Sequence, residues 1–585
     1  LDPGFLPRSV GISAACVLFL LLAAFPVHAQ EPEAVIVPDD QSDETTEPVA
    51  EGLVVPEAAS AAVEPQVEVV EPAEDGVEPT TGEADTGIPV EEAEPQGLGG
   101  ISKVFKTDKL KFSGYYWLHY GRMGSFALDE TGARDGLNQA LDHRLRVRPT
   151  ILLSKNVQIV ANLDVLAGQL AGDTSSVASD ILLAPRSNKR FSSLSTLREL
   201  YLQWNSGVGV LRVGQMHSLW GLGLMANDGE DREDNFYDTR HGDRVERIQW
   251  IMKPAAYLSD SIFARGFHVA LAGDLVFADD NASLTAGDKA WQAVGAAFFD
   301  GTVRLGYDMF AGVYVAYRNQ KYNNGDSLEV TAVDVFTRHK VALDGENNAL
   351  IVSGEGALIV GKTDAARFER APGGVDLLGW GLVLRAELDM AQYGLAPSLE
   401  MGLASGDRDR EDGTSRSFTF DPDYQAGMIL FPEVLGRSTA WSAARMADPA
   451  LMGTPPKGYD RAVTNGAITN ALYIYPRLRY TPIKGFDIRL AFLWARSLVP
   501  LADPYNSSVR FGGYPRSFRN GKPSTDLGYE IDGALSYRTP NFWGPFSFRL
   551  GLAVGWCKPG AAFNDADGNG LGSIYKVRAM ADLLF

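Results

Sequence analysis

The chain has 585 residues, 74 Asp and Glu against 53 Lys and Arg, a formal net charge of −21, and 45% hydrophobic residues. That balance leaves no basic footprint for nucleic acid, and two cysteines are too few for a disulfide-stapled scaffold. Composition is uneven along the chain, so its pieces have to be read separately.

Residues 1–29 carry Arg8, the apolar run Cys16 to Leu22, and then Pro26, Val27, His28 and Ala29. A positive start, a short hydrophobic core and small residues before Gln30 predict a signal peptide. The run is too short to span a bilayer as a helix. Cys16 precedes the hydrophobic core, which argues against lipidation.

Residues 30–100 hold 20 acidic residues and no Lys or Arg, so they account for nearly all of the net charge. Glu-Pro pairs recur at Glu47-Pro48, Glu64-Pro65, Glu71-Pro72, Glu78-Pro79 and Glu94-Pro95. High charge and frequent proline without aromatics cannot bury enough apolar surface to offset the entropy of ordering. A disordered acidic periplasmic segment is expected, able to reach about 3.1 Å per residue in polyproline II geometry. It suits contact with peptidoglycan or a basic partner, or serves as a solvated spacer.

From Ile101 onward no apolar stripe of helical period is sustained, and short stretches of alternating polarity recur to the last residue. They predict about 18 strands in an all-β fold, a large antiparallel transmembrane β-barrel over 101–585. Tight links follow even-numbered strands, as at Lys155-Asn156, Asn205-Ser206-Gly207, Asp300-Gly301 and Asp344-Gly345. Long polar stretches at 168–196, 218–244, 405–470 and 497–524 follow odd-numbered ones. That parity is expected when both ends of a barrel lie in the periplasm. The link 254–264 is longer than the others.

The final strand places Tyr575, Val577, Ala579, Ala581, Leu583 and Phe585 on one face. It looks like the closing strand of bacterial outer-membrane barrels, and implies recognition by the barrel-assembly machinery, export to the outer membrane of a Gram-negative cell, and contact with lipid and lipopolysaccharide. Lys576, Arg578 and Asp582 then face inward.

Arg144, Arg146 and Arg148 alternate with Leu145 and Val147, which puts three guanidinium groups on one face at a spacing of roughly 6.6 Å. Arg477 and Arg479 repeat the device, and Arg212, Arg304, Arg489, Arg549 and Arg578 are further inward candidates. Acidic counterparts include Asp164, Glu199, Asp274, Asp308, Glu387, Asp389, Glu400, Glu530 and Asp532. Unpaired, the arginines favour anionic or sugar-like solutes; paired with the carboxylates, they brace the wall. The stretch 405–470 contains Met428, Leu430, Phe431, Pro432, Leu435 and Trp441, too apolar for a freely solvated loop. It is expected to fold into the lumen or to cover the outer mouth. A porin-like channel is the reading these features support; the alternative is a structural anchor or surface-receptor barrel with a plugged lumen and a wall-contacting acidic tail.

Glu400-Met401-Gly402-Leu403-Ala404-Ser405-Gly406-Asp407 followed by Phe418-Thr419-Phe420-Asp421 resembles the strand end and loop of the alginate-export-like outer-membrane barrels. Leu200-Tyr201-Leu202 and Leu211-Arg212-Val213-Gly214-Gln215 before Trp220-Gly221 are similar in flavour, with Gln215 where that family usually has Arg. The likeness covers some 150 residues. It implies an 18-stranded pore with an arginine-lined passage for an anionic polysaccharide or related solute. The acidic segment is no part of that pattern.

Metalloprotease, serine-hydrolase and P-loop motifs are missing from the sequence, and the six histidines after the leader show no hydrolase spacing. Neither enzymatic activity nor a cofactor is expected. Asp565, Asp567 and Asn569 match the opening of a calcium loop, but Lys576 stands where a bidentate Glu is needed. A weak calcium site or a plain polar hairpin tip are the two readings.

Overall fold

The computed structural model describes residues 109–585, apart from 176, 178–195, 231–235, 237–241, 345–347, 367–370, 410–411, 455–458, 511–512 and 542–543. The expected leader and acidic segment lie outside the described residues.

Eighteen strands form the wall: β1 Leu110–Met123, β2 Gln139–Ser154, β3 Val157–Gly172, β4 Thr196–Ser206, β5 Gly209–His217, β6 Arg244–Met252, β7 Phe267–Ala278, β8 Lys289–Arg304 and β9 Tyr307–Lys321. They continue as β10 Ser327–Asp344, β11 Asn348–Thr363, β12 Val375–Met390, β13 Leu395–Ala404, β14 Ala471–Tyr480, β15 Phe486–Leu501, β16 Ser524–Arg538, β17 Ser547–Pro559 and β18 Ile574–Leu584. Each pairs antiparallel with its sequence neighbours. β18 returns to β1 with Tyr115 opposite Leu584 and Met123 opposite Lys576, which closes the sheet. A two-residue bridge, Thr414–Ser415, lies parallel to β12 and is no part of the wall. Closure pairs the backbone groups around the whole circumference, as a strand structure in a bilayer requires.

Period two sets the two faces. On β17, Phe548, Leu550, Leu552, Val554 and Trp556 are exposed outward, while Ala553 and Cys557 are buried inward. On β15, Leu490 and Phe492 face out and Asp487, Arg489 and Ala491 face in. β18 follows the sequence reading, with Tyr575, Ala579 and Ala581 outward and Lys576, Met580 and Asp582 inward. The apolar band is edged by aromatics. Trp291, Tyr529, Trp556 and Tyr575 lie toward the long-loop rim, and Trp204, Tyr537 and Phe548 toward the short-turn rim. Such belts mark the two membrane interfaces of a transmembrane barrel.

Several turns differ from expectation. β8 runs past Asp300-Gly301 to Arg304, and the hairpin turns at Leu305-Gly306, with Arg304 opposite Tyr307. Gly306, at φ 74°, supplies the left-handed residue of that turn, so the turn falls five residues beyond the Asp-Gly signal. The β4–β5 turn is Gly207-Val208, one residue beyond the expected link, because Ser206 still pairs with Gly209. Gly345 of the expected Asp344-Gly345 link lies outside the described residues. The long link after β6 contains two helical turns, Pro254–Tyr257 and Ile262–Gly266, and Ser261 caps the second through the N–H of Ala264.

Inside the wall, the β13–β14 segment folds inward. A π-helical turn at Leu430–Leu435 runs into helix α1, Gly436–Ala447. Small residues on α1, Ser438, Ala440, Ser442 and Ala443, are all buried, which lets the helix sit close to its surroundings. Met428, Leu430, Phe431 and Leu435 are buried with it. Of the two dispositions expected for this segment, the structure shows the inward one.

Candidate functional site: the lumen and its inward loops

Two of the described loops fold into the interior and are each held by a wall glutamate through the same device. Glu530 on β16 accepts the backbone N–H groups of Met428, Ile429 and Leu430, the last two at 2.7 Å. Glu355 on β11 accepts those of Leu222 and, at 3.1 Å, Leu224. A glycine with positive φ precedes each run, Gly427 at 77° and Gly221 at 58°. A Cβ at either position would come within 3 Å of the glutamate carboxylate. Glycine is therefore what lets successive N–H groups converge on one anion.

Neighbouring groups lock the arrangement. Trp220 donates its indole N–H to Asp334 on β10 at 3.0 Å. Lys576 bonds Glu433 at 2.7 Å and the carbonyl of Met428 at 3.2 Å. The two loops also meet, because Asp421 N donates to Leu224 O at 2.7 Å and Gly242 N to Asp423 at 2.9 Å. Helix α1 is tied to other long loops through Arg437 to Asp135 at 2.7 Å, Trp441 to Asp129 at 2.8 Å and Arg445 to Asp503 at 2.8 Å.

The arginine ladder is brought together and matched. Arg146 meets Asp164 through two bonds, 2.6 and 3.0 Å, and also reaches Glu230, while Arg148 meets Glu230 at 2.6 Å. Arg144 stands 3.8 Å from Asp164. On β1, Trp117 and Tyr115 lie beneath the ladder, 5.4 Å from Arg144 and 5.6 Å from Arg146. Burial opposes ionisation of Glu230, yet Arg146, Arg148 and Arg198 together hold it well below the usual carboxylate range.

The second cluster forms around Glu400, which binds Arg385 at 2.7 Å, Arg477 at 3.2 Å and the hydroxyls of Tyr424 and Tyr473 at 2.7 and 2.8 Å. Arg479 and Arg489 share Asp487 at 2.5 and 2.6 Å, and Arg549 shares Asp582 with His119 at 2.5 and 2.9 Å. Glu400 and Asp532 are fully buried under the inward segment rather than lining open space. Arg212 bonds Gln203 at 2.9 Å. Arg304 sits exposed at the short-turn rim, stacked 5.9 Å from Tyr307 and far from the ladder in the wall. Arg578 and Glu387 are half-buried on the walls of β18 and β12.

At the chain end, Phe585 stacks on Phe112 at 5.9 Å and its carbonyl accepts the N–H of Gly114 at 2.7 Å. Tyr575, Val577 and Leu583 share the outward face of β18. Asp565, Asp567 and Asn569 form a turn in which Asp565 accepts the N–H groups of Asp567 and Asn569 at 3.0 and 2.8 Å. Arg519 stands 3.3 Å from the same carboxylate, where a cation would sit.

The sequence reading missed Arg198, Arg247 and Arg318, all fully buried. Arg247 bonds Asp274 at 2.7 and 2.9 Å, and Arg318 bonds Asp279 at 2.6 Å. Alternation within β6 and β9 places both inward, so the strand register alone carried that signal. Glu230 stands within an acidic loop and gave none.

No protein-family model matches the chain. No curated protein sequence matches it either. Among solved structures, it is similar to Pseudomonas aeruginosa OccK5 (OpdH), at 10% identity and TM-score 0.43, with 82% of this chain and 99% of that chain covered. It is similar also to P. aeruginosa OpdK crystallised with vanillate, at 10% identity, TM-score 0.42, and coverage of 82% and 99%. Acinetobacter baumannii OccAB1 gives 10%, 0.43, 85% and 99%.

Proposed function

We propose that this chain is a porin-like channel of the Gram-negative outer membrane, passing small hydrophilic solutes through a lumen narrowed by its two inward loops. The observation that carries this reading is the closed wall itself, apolar and aromatic-belted outside, with paired arginines and carboxylates inside. A closed sheet of sixteen to eighteen strands encloses an aqueous lumen.

The finer reading, passage of anionic or sugar-like solutes as the alginate-export-like resemblance implies, draws support from the number of inward arginines. Their pairing with carboxylates makes the passage charge-balanced, so any anion preference is mild. In planar bilayers the purified protein should conduct, with a reversal potential in a salt gradient near zero or slightly toward anions. Silence in the bilayer, or clear cation preference, removes the channel reading.

A further inference from the structure

We infer that Lys289 and Lys321 form a clamp on the outer wall that holds a phosphate of the outer-leaflet glycolipid, a phosphomonoester carried on a sugar ring. This rests on the outer-membrane reading and adds a lipid partner to it.

The two lysines face each other directly across the β8–β9 ladder. Residues so paired point to the same side of the sheet, with Cα atoms about 4.5–5.5 Å apart. That side is the lipid-facing one, because Lys289 falls in step with the exposed Trp291, and Lys321 with the exposed Val313 and Val315. Both lysines are themselves exposed. Like charges directly opposite each other weaken a strand pair, so the arrangement is unfavourable until an anion lies between them.

Among the described residues no carboxylate does so. Glu329, on the neighbouring strand β10, bonds Lys362 of β11 at 3.2 Å and accepts the Tyr317 hydroxyl at 3.0 Å. Asp288, next to Lys289, accepts the backbone N–H groups of Ser283 and Asn323 at 3.0 and 2.9 Å. The inward face shows the same arrangement with an anion supplied by the chain. There Arg479 and Arg489 are directly opposed, and Asp487 joins them at 2.5 and 2.6 Å. On the outer wall the bridging anion is left to come from the surroundings.

Height in the membrane says which surroundings. Lys289 lies two residues beyond Trp291 toward the long-loop rim, about 7 Å along the strand. The clamp therefore stands just above the aromatic belt, at the level of the lipid headgroups. A phosphodiester headgroup carries one negative charge and answers one ammonium. A phosphomonoester carries about −1.5 to −2 at neutral pH and presents three acceptor oxygens, which matches two lysines. Trp291, 47% exposed and 5.4 Å from the Tyr317 ring, gives the attached sugar an aromatic surface to lie on.

The test uses the full chain in detergent micelles, titrated with lipid A that carries both its phosphomonoesters and read by native mass spectrometry and by unfolding temperature. Phosphate-stripped lipid A, phosphatidylglycerol and inorganic phosphate are the competing probes. The wild type should bind the phosphorylated lipid in preference to all three, and its unfolding temperature should rise with it. Lys289→Gln combined with Lys321→Gln should weaken the lipid adduct by about tenfold or more, the loss of charge-assisted hydrogen bonds. Lys362→Gln, whose lysine already has Glu329, should leave it within about twofold. Lys321→Glu exchanges the repulsion for a cross-strand ion pair, so it should unfold at a higher temperature than the wild type without lipid and lose the gain that lipid gives. All three positions are exposed, which keeps folding of the variants secure. No adduct on the wild type, or an equal one on the double variant, overturns the proposal. Equal binding of phosphatidylglycerol or stripped lipid overturns it too, as does displacement by inorganic phosphate at the same concentration. A chain that stays in aqueous buffer and never enters lipid vesicles would sink the outer-membrane reading instead.

Discussion

Leu430 donates its backbone N–H to Glu530 at 2.7 Å across 100 residues of chain. One side chain of the wall thereby sets the position of the segment that narrows the lumen. Glu530→Ala would leave three N–H groups without an acceptor, each costing about 1–3 kcal/mol if it stays buried. The segment should therefore detach rather than remain unsatisfied. Larger and noisier single-channel conductance, with new trypsin cleavage at Arg437 or Arg445, is expected. Unaltered conductance and cleavage would show that the latch does not hold the loop.

Gly427→Ala probes the same latch from the other side. At φ 77° the backbone disfavours any L side chain by about 1–2 kcal/mol, and the new Cβ would stand 2.9 Å from the Glu530 carboxylate. The variant should reproduce the conductance change of Glu530→Ala, while Gly568→Ala, in open space at a hairpin tip, should not. Equal effects of the two substitutions would refute the steric argument.

Arg146→Ala removes a guanidinium that neutralises Asp164 and Glu230 together. Breaking a buried pair from one side typically costs 3 to 5 kcal/mol, roughly, because the abandoned charge stays buried. A marked fall in the temperature at which the heat-modifiable gel band shifts is expected. Arg146→Ala with Asp164→Ala should recover part of the loss, and its failure to do so would mean the pair is not the cause.

Acid should act late on the ladder. Glu230 is held well below its ordinary range in the folded chain, so folding depresses its pKa. Its contribution is then complete above about pH 4.5, the unfolded value, and disappears as pH falls through the depressed folded value. Thermal stability of the wild type should drop faster than that of Glu230→Gln as pH is lowered below about 4.5. Parallel curves for the two proteins would contradict this.

Phe585→Ala removes the ring that stacks on Phe112 and lies tilted against Phe546, each 5.9 Å away. Assembled, heat-modifiable barrel should decrease severalfold in cells, with the survivors conducting normally. Normal assembly would show that the terminal aromatic is dispensable.

Much of the wall was legible because period-two alternation is local: Leu550, Leu552 and Val554 declare their face without any tertiary knowledge. Turn positions were harder. Asp300-Gly301 carries a hairpin signature, yet pairing of β8 with β9 continues beyond it and uses Gly306 instead. The inward course of Met428 to Leu435 could be guessed from their apolarity, but not the identity of Glu530 and Glu355 as their anchors. A carboxylate that collects backbone N–H groups leaves no mark on the sequence of either partner. Matching of the arginine ladder was likewise hidden, since Glu230 comes from a loop 84 residues beyond Arg146.

The first and last wall strands join through residues as distant as His119 and Asp582, 463 positions apart. Until the second of these partners is in place, the wall is an open sheet with two raw margins. A chain lacking β18, residues 574–584, would not be a slightly smaller cylinder. It would be an adhesive sheet, prone to stacking on its own kind.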